Sequence, residues 1–244
     1  DAVNEKEFAE AIKADPDFAE EFKDFTHFDN VASGYPFTQM AIPLSLTGEW
    51  YENDKPYTDY IQESFDKSPL INHLENQNYK IGIYDDSEFR FSQNKFAGRF
   101  ENQIGTTDTY SSLYSCMKLM VKMAGVKYAP WDAKRFCYNL IDHSKAIHTT
   151  LAPDDDIYKM YNHIFYPQIK DKNPITTTDD KCFRFIHIEG AHVPYRYDKD
   201  VNLIDRSEAT YESNVSACIT ISKKFIQRIK ESNIYDNSAI VIMA

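Results

Sequence analysis

The sequence predicts an α/β sandwich, a mainly parallel β-sheet covered by helices on both faces. Three observations carry that prediction. Segments with helical apolar periodicity alternate with short runs suited to strands, YKIGIYDD, CFRFIHI and SAIVIMA among them. Helix followed by strand recurs along the chain, the order that the crossover connections of a parallel sheet require. A content of 42% hydrophobic and 14% aromatic residues in 244 closes a sizeable core, in one large domain or two small ones.

Element by element, EKEFAEAIKADPDFAEEFKDF places Phe8, Ala11 and Ile12 on one helical face and Phe18, Phe22 and Phe25 on another, with Asp15-Pro16 as the break. Two short helices are expected there, then a strand in FTHFDNV. SGYP turns the chain into TQMAIPLSLTG, an apolar segment interrupted by Pro43. EWYENDKPYTDY lacks apolar periodicity and reads as a surface loop. A helix around IQESFDKSPLINHLENQ follows, and YKIGIYDD is a strand ending in acids. From Tyr110 to Lys170 the period is helical: Leu113, Met117, Met120 and Val121 share one face, and Phe136, Leu140 and Ile147 another. Such stripes are read as core. PDDDIYKMYNHIF opens with a proline and acids suited to a helix start. CFRFIHI alternates as a strand and EGAHVPYRYDKDVN is a loop. Val215, Cys218, Ile219, Phe225, Ile226 and Ile229 mark a long amphipathic helix, and SAIVIMA reads as a buried strand.

The formal charge of −11, with 38 acidic against 27 basic residues, repels a phosphate backbone, and the basic residues form no run, so nucleic acid is excluded as a partner. Cys116, Cys137, Cys182 and Cys218 show no C-x-x-C and no zinc spacing. Buried free thiols are expected, with one long-range disulfide as the alternative. No apolar run approaches the roughly 18 residues that span a bilayer, so this segment is expected to be soluble.

Thr38 is the first candidate for chemistry. With a helix starting at Gln39, its hydroxyl would stand among open backbone N–H groups at the positive end of a helix dipole, where an oxyanion is stabilised. On spacing alone a plain N-cap explains it as well or better. A threonine nucleophile also needs a base or a metal ion to activate it. His192 is the second candidate: it follows Gly-Ala in an exposed loop just past a strand, where an imidazole can reach a ligand. His187, inside the strand, could face either layer, and position favours His192. Asp154-Asp155-Asp156 reads as helix-start electrostatics, and His143 and His148, at neither i,i+3 nor i,i+4 spacing, as structural.

Together these pieces resemble the alkaline phosphatase superfamily, specifically the sulfatase-like branch of bacterial cell-envelope phosphoethanolamine and phosphoglycerol transferases. The resemblance is carried by the ordered series Asp1-Ala2, SGYPFTQMAIPLSLTG with Thr38 and Pro43 as Thr-x-x-x-x-Pro, YKIGIYDD, GAHVPY and AIVIMA. It covers nearly all of residues 1–244, taken as a single domain incomplete at both ends, and is strongest over 16–53 and 182–244.

The resemblance implies an alkaline phosphatase-like sandwich and a metal-dependent transfer or hydrolysis of a phosphoryl-linked head group on an envelope phospholipid or glycan. It makes Thr38 the nucleophile, Asp1 and Thr38 metal ligands, His192 a substrate-binding residue, and manganese or zinc, rather than calcium, the ion. It also implies an extracytoplasmic location, with membrane contact through segments outside this chain. In the family an Asp-His-Gly ligand motif follows the strand matching AIVIMA, so the given piece is expected to be inactive by itself. The formylglycine signature of true sulfatases is missing at Thr38-Gln39-Met40-Ala41, which disfavours sulfate-ester hydrolysis. The remaining alternative is a non-catalytic protein that keeps the fold and binds lipid or a partner protein.

Overall fold

The structure, a computed structural model, describes residues 3–85, 96, 98–101, 108–110, 117, 120–121, 124–125, 127–138, 148–150, 161–171 and 181–243. Among the described residues the chain forms eight α-helices and four strands. The helices are α1 (Glu5–Ala14), α2 (Pro16–Glu21), α3 (Thr38–Thr47), α4 (Tyr57–Lys67), α5 (Pro69–Asn76), α6 (Trp131–Tyr138), α7 (Asn162–Asp171) and α8 (Tyr211–Glu231). The strands are β1 (Lys80–Tyr84), β2 (Asp108–Tyr110), β3 (His148–Thr150) and β4 (Cys182–Ile186). The class is mixed α/β, with a sheet smaller than predicted.

β1 and β4 pair in parallel, in register from Lys80 opposite Cys182 to Tyr84 opposite Ile186. β2 and β3 form a separate antiparallel pair; β3 lies within the stretch from Tyr110 to Lys170 that the sequence reads as helical, and β2 at its start. The main core lies between β1 and α3, α4 and α5: Ile42, Leu46, Ile61, Phe65, Ile71, Ile81 and Ile83 are buried there with Phe96 and Phe100, and Phe183 and Phe185 of β4 pack against them. Arg99 binds this layer from outside. Its Nε donates to Glu75 Oε1 (2.8 Å) and its Nη1 to Asp66 Oδ1 (2.6 Å), holding the segment after β1 to α4 and α5.

α8 serves two further clusters. Val215, Cys218 and Ile219 pack with Phe18 and Ala191 on the side of α1 and α2, while Ala217 and Ile221 pack with Ile169, Tyr197 and Val201 on the side of α7. The 3.6-residue period read in the sequence therefore serves two packed faces rather than one.

Asp15 makes the predicted break between α1 and α2: its N–H donates to Ala11 O at the end of α1, and its side chain accepts from Asp17 N at the start of α2, with Pro16 next. The helix predicted around IQESFDKSPLINHLENQ is two helices. Ser68 separates them, fully buried, its Oγ donating to Leu46 O (2.9 Å) and accepting from Ile71 N (3.1 Å).

Several expectations are corrected. FTHFDNV is not a strand; Phe28 and Val31 are exposed, because α1 and α2 bury their apolar face on α8 and, among the described residues, no strand pairs with it. Ser238–Met243 is not a strand either, and Val241, Ile242 and Met243 are exposed. Met117, Met120 and Val121 are exposed instead of core. Cys182 is exposed while Cys218 is buried, and both are free thiols. Leu113, Leu140, Ile147, His143, Cys116 and Asp154-Asp155-Asp156 lie outside the described residues, as do the side chains of Phe136, Cys137 and His148. Among the described residues no helix is long and apolar enough to cross a membrane.

Candidate functional site

Thr38 opens α3 as its first helical residue. The N-cap position belongs to Phe37, in extended conformation (φ −124°, ψ 126°), and supplies no capping side chain. Met40 N and Ala41 N both donate to Phe37 O at 3.0 Å, which sets the helix start one residue earlier than the sequence suggested. The capping role considered for Thr38 is thereby corrected. Its half-buried hydroxyl belongs to the first turn, at the positive end of the helix.

Pro43 lies inside α3, so it has no N–H to give to the carbonyl four residues back, Gln39 O. Tyr57 of α4 fills that place, its hydroxyl donating to Gln39 O at 2.6 Å. The turn that carries Thr38 is therefore held by α4 as well as by its own backbone. Gly34 permits the approach to α3 to run close: a Cβ there would stand 2.4 Å from Leu44 Cδ2 and 3.1 Å from the Trp50 ring.

At the carboxyl ends of the parallel pair, where α/β sheets bind ligands, β1 runs into Asp85 and β4 into His187. Asp85 Oδ1 is 3.0 Å from His187 Nδ1, and the carboxylate side chain is fully buried. The backbone bond from His187 N to Tyr84 O (2.8 Å) continues the ladder one step and brings the two side chains together. A carboxylate accepts, so His187 Nδ1 donates and the ring keeps Nε2 as its basic nitrogen, the arrangement of an imidazole oriented for proton transfer or metal binding.

The loop after β4 is built rather than loose. Asn162, fully buried at the start of α7, gives Nδ2 to Gly190 O (2.8 Å) and accepts from Gly190 N (3.0 Å). Gly190 carries φ 70°, a conformation that favours glycine. One residue before it, Glu189 Oε2 accepts from the buried Tyr197 hydroxyl (2.7 Å), which in turn accepts from His163 Nδ1 (2.9 Å). Burial first, and then the bond to Glu189 and its charge, push the Tyr197 phenol well above its ordinary value. His192 is exposed; its Nδ1 donates to Val193 O at 2.6 Å, so in the neutral ring Nε2 keeps its lone pair.

Of the predicted site residues, Thr38 and His192 are placed at a helix start and in the post-strand loop, as expected, and Asp1 lies outside the described residues. The structure does not join Thr38 and His192 by a hydrogen bond among the described residues. Among the described residues no group of three His, Cys, Asp or Glu side chains is placed to hold a metal ion. What sequence reasoning missed is the Asp85–His187 pair. The signal was present in a strand ending in Asp-Asp and a histidine near the end of CFRFIHI, but only the parallel register shows that the two meet.

Comparison with protein-family models, with curated proteins and with solved structures returns no match for the chain. The likeness to sulfatase-like transferases rests on motif order alone.

Proposed function

We propose that the chain belongs to an enzyme that transfers or hydrolyses a phosphoryl-linked head group on an envelope phospholipid or glycan, with Thr38 as nucleophile. The observation that carries this reading is the place of Thr38 in the first turn of α3, a turn that the Tyr57 hydroxyl holds where Pro43 leaves a carbonyl open. A hydroxyl there attacks phosphorus while the helix end stabilises the oxygens that gain charge, an effect of roughly 0.3–1 kcal/mol, up to about 2 when partly buried. The Thr38 Oγ–phosphorus bond forms, the bond from phosphorus to the leaving alkoxide breaks, and that oxygen takes a proton. An acceptor hydroxyl, or water, then displaces Thr38.

His192, exposed in the loop after β4, is the group suited to binding the phosphoryl oxygens, while His187, held by Asp85, has its Nε2 buried at the strand ends. The complete alkaline phosphatase-type sandwich, an extracytoplasmic location and membrane contact through further segments go with this reading. So does a manganese or zinc ion held by Asp1 and Thr38; when bound it would make the threonine hydroxyl more acidic.

Intact mass of the full-length domain that contains this chain, after incubation with a phospholipid donor and manganese or zinc, tests the proposal. Wild type is expected to gain the mass of one phosphoryl head group, and Thr38→Ala none. An adduct that persists in Thr38→Ala overturns the assignment.

A further inference from the structure

Ahead of α6 the described residues Met117, Met120, Val121, Ala124 and Tyr128 are helical, and all five are exposed. Their spacing, i, i+3, i+4, i+7 and i+11, puts them on one face of a helix, in a stripe roughly 100° wide. Ala129 N donates to Gly125 O (2.8 Å) in the last turn, Pro130 follows, and Trp131 opens α6. Single exposed apolar side chains are ordinary, but Met117, Met120, Val121, Tyr128 and Trp131 lie between 58% and 84% exposed within one short stretch. None of them enters a core cluster. The helical period that reads as core in the sequence faces solvent, and a regular stripe asks for a covering surface where a scattered residue does not.

Charge indicates what that surface is. From Met117 to Arg135 the sequence has five basic residues, Lys118, Lys122, Lys127, Lys134 and Arg135, against one acid, Asp132. That is a local excess of +4 in a chain whose net charge is −11. Lys127 lies over the Tyr128 ring, 5.5 Å from its centroid, so a cation stands beside the stripe. In a helix that lies flat in the interface of a bilayer, apolar side chains enter the acyl boundary, cations stay with the head-group phosphates, and Tyr and Trp rings sit at the depth between. Methionines suit such a contact because an unbranched, flexible side chain adapts to a fluid surface. A protein groove would also cover an apolar stripe, but cations gathered in an otherwise acidic chain favour a sheet of anionic head groups. The net negative charge opposes this only at long range. At physiological salt, charges are screened beyond about 8 Å, so the cations next to the contact decide.

We propose that the apolar stripe of residues 117–131 docks the protein on the surface of an anionic phospholipid bilayer, independently of the chemistry at Thr38. The contact is interfacial: among the described residues no helix is long and apolar enough to cross.

Flotation of the full-length domain that contains this chain is the test, on vesicles of phosphatidylcholine alone and of phosphatidylcholine and phosphatidylglycerol in equal parts. It is run on wild type, on Met120→Gln/Val121→Gln, on Lys118→Gln/Lys122→Gln/Lys127→Gln, and on Phe28→Gln/Val31→Gln as a control that removes an exposed apolar pair elsewhere. Wild type and control are expected to float with the phosphatidylglycerol vesicles and to stay behind with phosphatidylcholine alone. The stripe variant and the lysine variant are each expected to bind at least roughly tenfold more weakly, with Tm unchanged. The proposal is overturned if wild type floats with neither vesicle or equally with both, if either variant floats as well as wild type, or if the control loses as much as they do. A dimer in sedimentation that the stripe variant lacks, without flotation, also overturns it and gives the stripe to a second copy of the chain.

Discussion

Tyr57 does for α3 what the backbone of Pro43 cannot. Removing its hydroxyl in Tyr57→Phe leaves Gln39 O without that donor (2.6 Å), and the expected loss is about 1 kcal/mol of stability, read from the midpoint of urea unfolding. If Thr38 acts as proposed, the same variant slows formation of the covalent adduct while Thr38 itself remains, because the turn that aims the hydroxyl is loosened. Residue-level reading of the sequence reached Thr38 but set the helix start one residue too late, since Phe37 takes the cap position through its backbone, without a capping side chain. It passed over His187 in favour of His192. The partner of His187 lies 102 residues away, and no periodicity in either strand signals a pairing that exists only through the register of β1 and β4.

At the level of elements, the clasp between Asn162 and Gly190 ties the start of α7 to the loop that carries Glu189 and His192. Asn162→Ala removes both bonds and strands two backbone groups of a buried glycine. The expected cost is roughly 2–3 kcal/mol, seen as a lowered urea midpoint, with faster hydrogen exchange at residues 187–197. The helices α1, α2 and α8 and the strands β1 and β4 were legible because each carries its own signal: a cap with proline, a continuous 3.6-residue stripe, or a short alternating run. The β2–β3 pair was not, since three-residue strands in a helix-patterned region carry too little pattern to outweigh it. FTHFDNV and SAIVIMA carry strand-like composition, yet a strand forms only where an edge is present to pair with it.

Across the whole molecule, two clusters each hold a phenol that resists ionisation. Burial pushes the Tyr60 hydroxyl in the main core up to about 12, with the charges of Tyr35 and Glu49 adding to the effect, and Tyr197 on the α7 side of α8 is raised as well. In the unfolded chain a tyrosine loses its proton near pH 10, so the folded state binds more protons between pH 10 and 12. The stability that Tyr60 contributes is therefore complete below pH 10 and lost as the pH rises to about 12, on the order of 2–3 kcal/mol. Urea midpoints measured from pH 8 upward are expected to fall over that window, and to fall less steeply in Tyr60→Phe.

The exposed run Val241-Ile242-Met243 bears on how the protein behaves in concentrated solution. An uncharged, β-prone stretch open to solvent is a template for intermolecular cross-β pairing, which the net charge of −11 opposes by keeping molecules apart. Colloidal stability then becomes a balance between a sticky stretch and a repelling body. Added salt, or a pH approaching the isoelectric point near 5.1, weakens only the second of these.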